Sequence, residues 1–397
     1  MALLKEKLKL FFEVNKEKIH CEEVLVAMGN EACDLDSFIS SLVVAYAEGA
    51  VHVVNMRKEV FVAKGEIMWV CKEFGIDVDD LIFLVKPTLH FSSKARKIGA
   101  YFDSGEKEYP VCGKKIKLLL TDHNQPAEEL EDCEIELIID HHMVERSVSP
   151  AKRIYIDLDV GSATTLVSKY LGEDLARKNH SLPSFTKSQK DKETLCSAFA
   201  KLLLIPILMD TGFLKKRTSV FDMAEYRRLK RLADVKKKKL KGIIRALKNA
   251  RKNDSGQETG LILQKDFKTF HYRDFFFGGS TVKYPFEDWA DREGRNISRI
   301  PEEKAGIALM VEIESFRKAM GLDFFFVATK AKGSRNIIFA NFPFARQIAA
   351  KNQMKSIDYK GLEYYSASKN LTRKLLVPEI IKAIDGYTHG PNKNKDL

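Results

Sequence analysis

No CxxC pair and no zinc-type spacing joins the six cysteines, Cys21, Cys33, Cys71, Cys112, Cys133 and Cys196. That absence excludes a disulfide scaffold and a structural zinc site, and leaves reduced thiols packed as small apolar groups. No apolar run is long enough for a signal peptide or a spanning helix. The opening Leu3 to Val14 mixes Leu and Phe with Lys and Glu and reads as an amphipathic helix. A cytoplasmic protein without a membrane partner is therefore expected. Internal repeats, a proline-rich tail and an acidic tail are also missing, so neither a solenoid nor a tail-borne scaffold is indicated.

Acidic charge is in short supply as well. Lys and Arg number 66 against 55 Asp and Glu, a net +11 over 397 residues. The excess is uneven: between Lys215 and Lys252 there are 16 basic residues against three acids, Asp222, Glu225 and Asp234. A polyanion partner follows, although a solvated helix face explains such a run equally well.

The length suits two domains. Strand-like runs at Val24 to Met28, Ala50 to Val54, Leu81 to Val85, Ile116 to Thr121, Ile135 to Ile139 and Arg153 to Ile156 alternate with helical stretches at Ser37 to Glu48 and Lys64 to Phe74. This alternation predicts an α/β domain with a doubly wound, mainly parallel sheet. Helices follow at Ser162 to Leu171 and at Leu195 to Met209, the latter expected to bend or break near Pro206; residues 173–193 read as a surface loop. The first domain is assigned to residues 1–235, a basic helical linker to 236–256, ending in the breaker Asn253-Asp254-Ser255-Gly256, and a smaller α+β domain to 257–397. In that last part Phe275 to Phe277, Phe324 to Thr329 and Ile337 to Ala340 are strand runs, Pro301 to Met320 is a helix, and Gly390 to Leu397 is expected to be disordered.

Four polar motifs fall where this fold places loops. Gly29-Asn30-Glu31-Ala32-Cys33-Asp34-Leu35-Asp36-Ser37 follows the first strand, Thr121-Asp122-His123-Asn124 another, and Asp140-His141-His142 a third; Asp210-Thr211-Gly212 ends a helix. Singly, each has an ordinary structural explanation as a helix cap or a turn. Together they deliver carboxylates and imidazoles from three strand ends and a helix end, a donor set suited to hard or borderline cations such as Mg²⁺ or Mn²⁺. Carboxylates so close repel one another unless cations neutralise them.

The ordered set Gly-Asn-x-x-x-Asp-x-Asp-Ser, Asp-His-Asn, Asp-His-His and Asp-Thr resembles the DHH phosphoesterase superfamily, in particular the branch of cytosolic exopolyphosphatase, family II inorganic pyrophosphatase and the prune proteins. Asp266-Phe267-Lys268 and Thr372-Arg373-Lys374, followed by Pro378, are similar to that branch's second-domain motifs. The resemblance implies an active site in the cleft between the domains. It implies two divalent ions, Mg²⁺ first and Mn²⁺ or Co²⁺ as alternatives: one held by Asn30, Asp34 and Asp122, the other by Asp36, Asp122, His141 and Asp210. Asp140 would orient His141. His142, Lys268, Arg373 and Lys374, with His123 as a further candidate, would meet substrate phosphates, and Asp122, His142, Arg373 and Lys268 would carry the catalysis. Domain closure would complete the site. The implied activity is release of terminal orthophosphate from linear polyphosphate by metal-activated water, by a monomer that does not bind nucleic acid. A family II pyrophosphatase and a prune-like phosphodiesterase or interaction protein are the alternatives. Against the first stand Asn30, where pyrophosphatases carry His, and the basic excess; against nuclease relatives, Gly278-Gly279 lacks the following histidine of their motif.

Overall fold

The computed structural model describes residues 2–86, 100–143, 150–178, 189–296 and 301–388, with side chains omitted at 173–192. The expected disorder of Gly390 to Leu397 lies outside the described residues. The chain divides into two compact units at Ala250/Arg251.

Among the described residues the first unit has eight strands: β1 (Glu23–Met28), β2 (Val51–Val54), β3 (Ile82–Val85), β4 (Tyr101–Asp103), β5 (Glu108–Pro110), β6 (Lys115–Thr121), β7 (Glu134–Asp140) and β8 (Ala151–Ile156). Their order is β5-β4-β3-β2-β1-β6-β7-β8. From β3 to β8 all pairings are parallel, while β4 and β5 form an antiparallel hairpin on one edge. The chain winds outward from β1 through β2 and β3, then returns to lay β6 on the other side of β1. The order therefore reverses between β1 and β6, and a crevice opens there at the carboxyl ends of the strands.

The helices are α1 (Ala2–Lys18), α2 (Leu35–Glu48), α3 (Lys58–Val62), α4 (Gly65–Phe74), α5 (Ala163–Lys178), α6 (Gln189–Asp210), α7 (Val220–Leu232) and α8 (Lys237–Ala250). Their apolar sides share one core, on the sheet face that presents Ala27, Val54, Phe83, Leu119 and Leu137. The opposite face buries Val26, Met28, Val53, Leu118 and Ile138 under Phe102, Ala127 and Leu130. That the β6-to-β7 connection crosses this second face follows from right-handed crossovers once the strand order has reversed.

Of the bend or break expected near Pro206, the break is absent: α6 runs on through the proline. A proline inside a helix costs about 3 kcal/mol. The surrounding Leu202, Leu203, Leu204, Ile205, Ile207 and Leu208 are all buried, at roughly 1.5–3 kcal/mol each, and that term wins. The expected surface loop at 173–193 is helical at both ends, and its middle, 179–188, lies outside the described residues. Within the expected linker 236–256, α8 buries Leu240, Ile244 and Leu247 in the first unit's core.

The second unit has β9 (Phe267–Tyr272), β10 (Phe275–Val282), β11 (Phe324–Lys330), β12 (Ser334–Ala340), β13 (Lys355–Tyr359) and β14 (Leu362–Ser368), ordered β13-β14-β12-β11-β10-β9. Only β10 and β11 are parallel, joined through α10 (Phe286–Asn296) and α11 (Ala305–Ala319). With the preceding α9 (Thr259–Gln264), these helices cover one sheet face; α12 (Ala345–Lys351) and α13 (Arg373–Thr388) cover the other. Gly278 and Gly279 are packing glycines: a Cβ on Gly279 would lie 2.1 Å from the Phe326 ring.

Candidate active site

The crevice at the β1/β6 reversal holds the first three motifs. After β1, Gly29 lets the chain turn closely over α2, since a Cβ there would sit 2.1 Å from Ser37 Oγ. That hydroxyl is in turn bound by the Asn30 amide at 2.7 Å. Asp34 is the N-cap of α2, its Oδ1 accepting from the Asp36 and Ser37 backbone amides at 3.1 Å. The cap aims Asp36 inward from the first turn. Asp36 is buried, and its carboxylate meets the start of α5: Ser162 Oγ (2.7 Å) and Thr164 N (2.9 Å) donate to Oδ1, and Ala163 N (2.6 Å) donates to Oδ2. A helix N-terminus is a fitting seat for a carboxylate, because its amides lack intrahelical partners.

After β6, Asp122 adopts φ 63°, a left-handed conformation that Asp tolerates better than most residues. Its amide still donates to Ile139 O at 2.9 Å, so the side chain is re-aimed while the sheet ladder continues. Asn30 Nδ2 donates to Asp122 Oδ2 at 2.7 Å. The other oxygen, Oδ1, is buried without a hydrogen-bond partner and lies 3.2 Å from His141 Nε2 and 3.6 Å from His142 Nδ1. After β7, the fully buried Asp140 orients both histidines: Oδ1 accepts from His141 N (2.8 Å) and His142 Nδ1 (2.9 Å), and Oδ2 accepts from Asn124 Nδ2 (2.6 Å). His141 Nδ1 faces Val160 O at 3.1 Å, an acceptor that orients the ring and turns Nε2 toward Asp122 and, at 3.8 Å, Asp36. His142 spends Nδ1 on Asp140 and leaves its ring 44% exposed.

The electrostatics show a site carrying surplus negative charge. Burial first, and then the charge of Asp36, push Asp122 well above the usual carboxylate range; burial likewise raises Asp36 against the pull of His141. Burial opposes charge on His141, but the neighbouring Asp122 and Asp36 carboxylates outweigh that and carry the imidazole up to about 10. Burial also disfavours charge on Asp140, yet bonds from His142 and Asn124 hold it below its ordinary value. A divalent cation would relieve this surplus and compete with the proton at His141 Nε2. One ligand atom each from Asp122, His141 and His142 fall within 4.8 Å of one another, a spacing that suits one ion.

The structure thus brings together Asn30, Asp36, Asp122, His141 and His142, with Asp34 one turn away. Asn30 stands with its amine on Asp122 and its oxygen accepting from Cys33 N at 3.0 Å, so in this arrangement it braces Asp122. Asp210 is the half-buried last residue of α6; the next residue, Thr211, packs its methyl against Gly161, the neighbour of Val160. His123 bonds Thr121 O through Nδ1 at 2.9 Å, and burial keeps its ring neutral. In the second unit, Arg373 at the start of α13 binds Asp266 Oδ1 (2.8 Å), Asp266 O (2.7 Å) and Gly279 O (3.2 Å). Lys268 and Lys374 are exposed. Sequence reasoning missed the role of the start of α5, whose hydroxyl and amides hold Asp36; the helix expected from Ser162 was its only trace.

The DHH family, N-terminal domain, matches residues 24–207, and the DHHA2 domain matches residues 245–383. The chain belongs to the DHH phosphoesterase superfamily. Exopolyphosphatase PRUNE1 of Rattus norvegicus is 26% identical over 284 residues, 68% of this chain and 54% of the relative. The Homo sapiens protein of the same name is 27% identical over 258 residues, 62% of this chain and 49% of the relative. This DHH protein therefore spans about half the length of the curated relatives it matches. A Methanococcus jannaschii structure assigned to the family II inorganic pyrophosphatases shares its fold, with a TM-score of 0.58 and 18% identity over 92% of this chain and all of that one. Among the described residues, no helix is long and apolar enough to cross a membrane.

Proposed function

We propose that this DHH protein is a cytoplasmic, divalent-metal-dependent exopolyphosphatase that removes terminal orthophosphate from linear inorganic polyphosphate. The observation that carries the reading is Asp122 Oδ1, a buried carboxylate oxygen with no hydrogen bond, facing His141 Nε2 and the Asp36 carboxylate. A buried unpaired oxygen of this kind is costly unless a cation takes it up. Two Mg²⁺ ions are the proposed occupants, with Mn²⁺ or Co²⁺ as substitutes: Asp36, Asp122, His141 and Asp210 would hold one, and Asp34 and Asp122, with Asn30 after rotation of its amide, the other. When bound, such a pair lowers the pKa of a shared water from ~15.7 toward neutrality and neutralises phosphoryl oxygens.

The protein's own groups supply the rest. Asp140 holds both histidine rings in place. His142, with Nε2 on its open side, donates to a phosphoryl oxygen, and His123 lends a neutral imidazole behind it. Lys268, Arg373 and Lys374 would meet substrate phosphates and offset their charge; Asp266 holds the Arg373 guanidinium. Sequence likeness to proteins named exopolyphosphatase favours a chain substrate over pyrophosphate. The test is phosphate release with Mg²⁺ from long-chain polyphosphate, tripolyphosphate, pyrophosphate and cyclic AMP. Stepwise orthophosphate release from the two longer substrates is expected. Consumption of pyrophosphate while long chains persist would transfer the assignment to a pyrophosphatase.

A further inference from the structure

The proposed reaction leaves the cationic run between Lys215 and Lys252 without a role. In α8 the two sides are sharply divided. Leu240, Ile244 and Leu247 lie in the core. Lys238, Lys241, Arg245 and Lys248 recur three and four residues apart on the solvent side, and all are exposed. The helix contains no acidic residue, and none of these four forms an ion pair among the described residues. At 1.5 Å per residue they line about 15 Å of surface.

The run also starts beside the active site. Past Asp210 the chain makes a left-handed turn through Gly212, Phe213 and Leu214 (φ 58°, 65° and 63°) and presents Lys215, Lys216 and Arg217 to solvent. The Arg217 carbonyl packs on Gly161, where a Cβ would lie 2.2 Å from it. Asp222 in the first turn of α7 ties that helix to Gly161 N (2.9 Å) and Thr165 Oγ1 (2.5 Å). Exposed Arg227 and Arg231 continue the charge along α7 toward α8.

We propose that the exposed face of α8 is an exosite for the distal part of a long inorganic polyphosphate chain, an inference that rests on the function proposed above. The chemistry of this face favours inorganic polyphosphate over two other polyanions. The α8 face bears no aromatic side chain on which bases could stack, as single-stranded nucleic acid requires. Its apolar side is already buried in the core, so no hydrophobic face remains to enter a bilayer. Lysine predominates over arginine, and lysine's mobile point charges suit a uniform chain of phosphates.

The test is a full-length variant combining Lys238→Gln, Lys241→Gln, Arg245→Gln and Lys248→Gln, which leaves the buried leucines and isoleucine intact. Binding of end-labelled long-chain polyphosphate, single-stranded RNA and phosphatidylserine vesicles is measured at several salt concentrations, with tripolyphosphate turnover alongside. The variant is expected to lose about tenfold or more in affinity for long-chain polyphosphate, with a shallower salt dependence. Tripolyphosphate turnover is expected to stay at the wild-type level. Undiminished long-chain binding overturns the exosite, and so does tighter wild-type binding of RNA or vesicles than of polyphosphate. If the wild type hydrolyses neither polyphosphate, the catalytic reading falls, while the binding comparison still decides the exosite.

Discussion

Asp140 shows how the site is organised at the scale of single residues. It is fully buried, and with two oxygens it positions His141, His142 and Asn124, so its influence reaches the reacting centre through other groups. Asp140→Asn would turn an acceptor into a donor against one of them. The expected result is a roughly 10- to 100-fold loss in Mg²⁺ affinity or turnover with the fold retained, read from a Mg²⁺ titration of activity and a melting curve. Wild-type activity in that variant would assign Asp140 to packing. The meeting of Asp36, Asp122, His141 and His142 was legible from the sequence only through their combination after successive apolar strands, since each motif alone has an ordinary explanation as a cap or turn. Asn30 was less so. Its type announced an amide in the motif, but which end of the amide faces Asp122 depends on Cys33 N and the Asp122 carboxylate, partners that meet only in the fold.

At the scale of elements, the site depends on the start of α5 being held in place. Asp222 does this from α7, accepting from Ser219 N (2.8 Å) and Oγ (2.9 Å) in a capping box and from Gly161 N and Thr165 Oγ1 across helices. Asp222→Ala removes a cap and leaves buried donors unsatisfied. A stability loss of about 2 kcal/mol or more is expected from denaturant unfolding, together with weaker Mg²⁺ dependence of activity as the amides around Asp36 loosen. A stable variant with an unchanged Mg²⁺ response would separate α7 from the site. Most elements were legible from periodicity. The hairpin of β4 and β5 was not, since strands as short as Tyr101–Asp103 and Glu108–Pro110 carry too few residues for alternation to register. β9 was hidden because its alternation in Phe267-Lys268-Thr269-Phe270 is interrupted and its pairing with β10 is set by tertiary contact. Pro206 does not end α6, because local propensity yielded to burial.

Over the whole molecule, pH should act through a buried histidine that has no part in the proposed chemistry. His52 on β2 is buried, with Nε2 on Ser41 Oγ at 3.0 Å, and burial holds its imidazole down to about 3. The unfolded chain takes up this proton near pH 6.5 and the folded one does not until far lower. Stability from this group is therefore complete above about pH 6.5 and falls as pH drops toward 3, by up to about 1.4 kcal/mol per pH unit. His52→Leu should flatten that slope in denaturant unfolding followed from neutral to mildly acidic pH; an identical slope in the variant would place the titration elsewhere. At this scale the sequence foretold two α/β-containing parts, and strand alternation was enough for that. It did not reveal that α8, lysine-rich as it is, belongs to the first unit's core, because its three buried residues are outnumbered by cations in any composition-based reading.

The proposed function requires Asp122 to be the carboxylate that two cations would share. Orthophosphate release from long-chain polyphosphate, measured across a Mg²⁺ titration for wild type and Asp122→Ala, tests this most directly. Release that requires Mg²⁺ in the wild type and is nearly abolished in the variant at every concentration is the predicted result. Metal-independent release, or substantial turnover by Asp122→Ala, would contradict it.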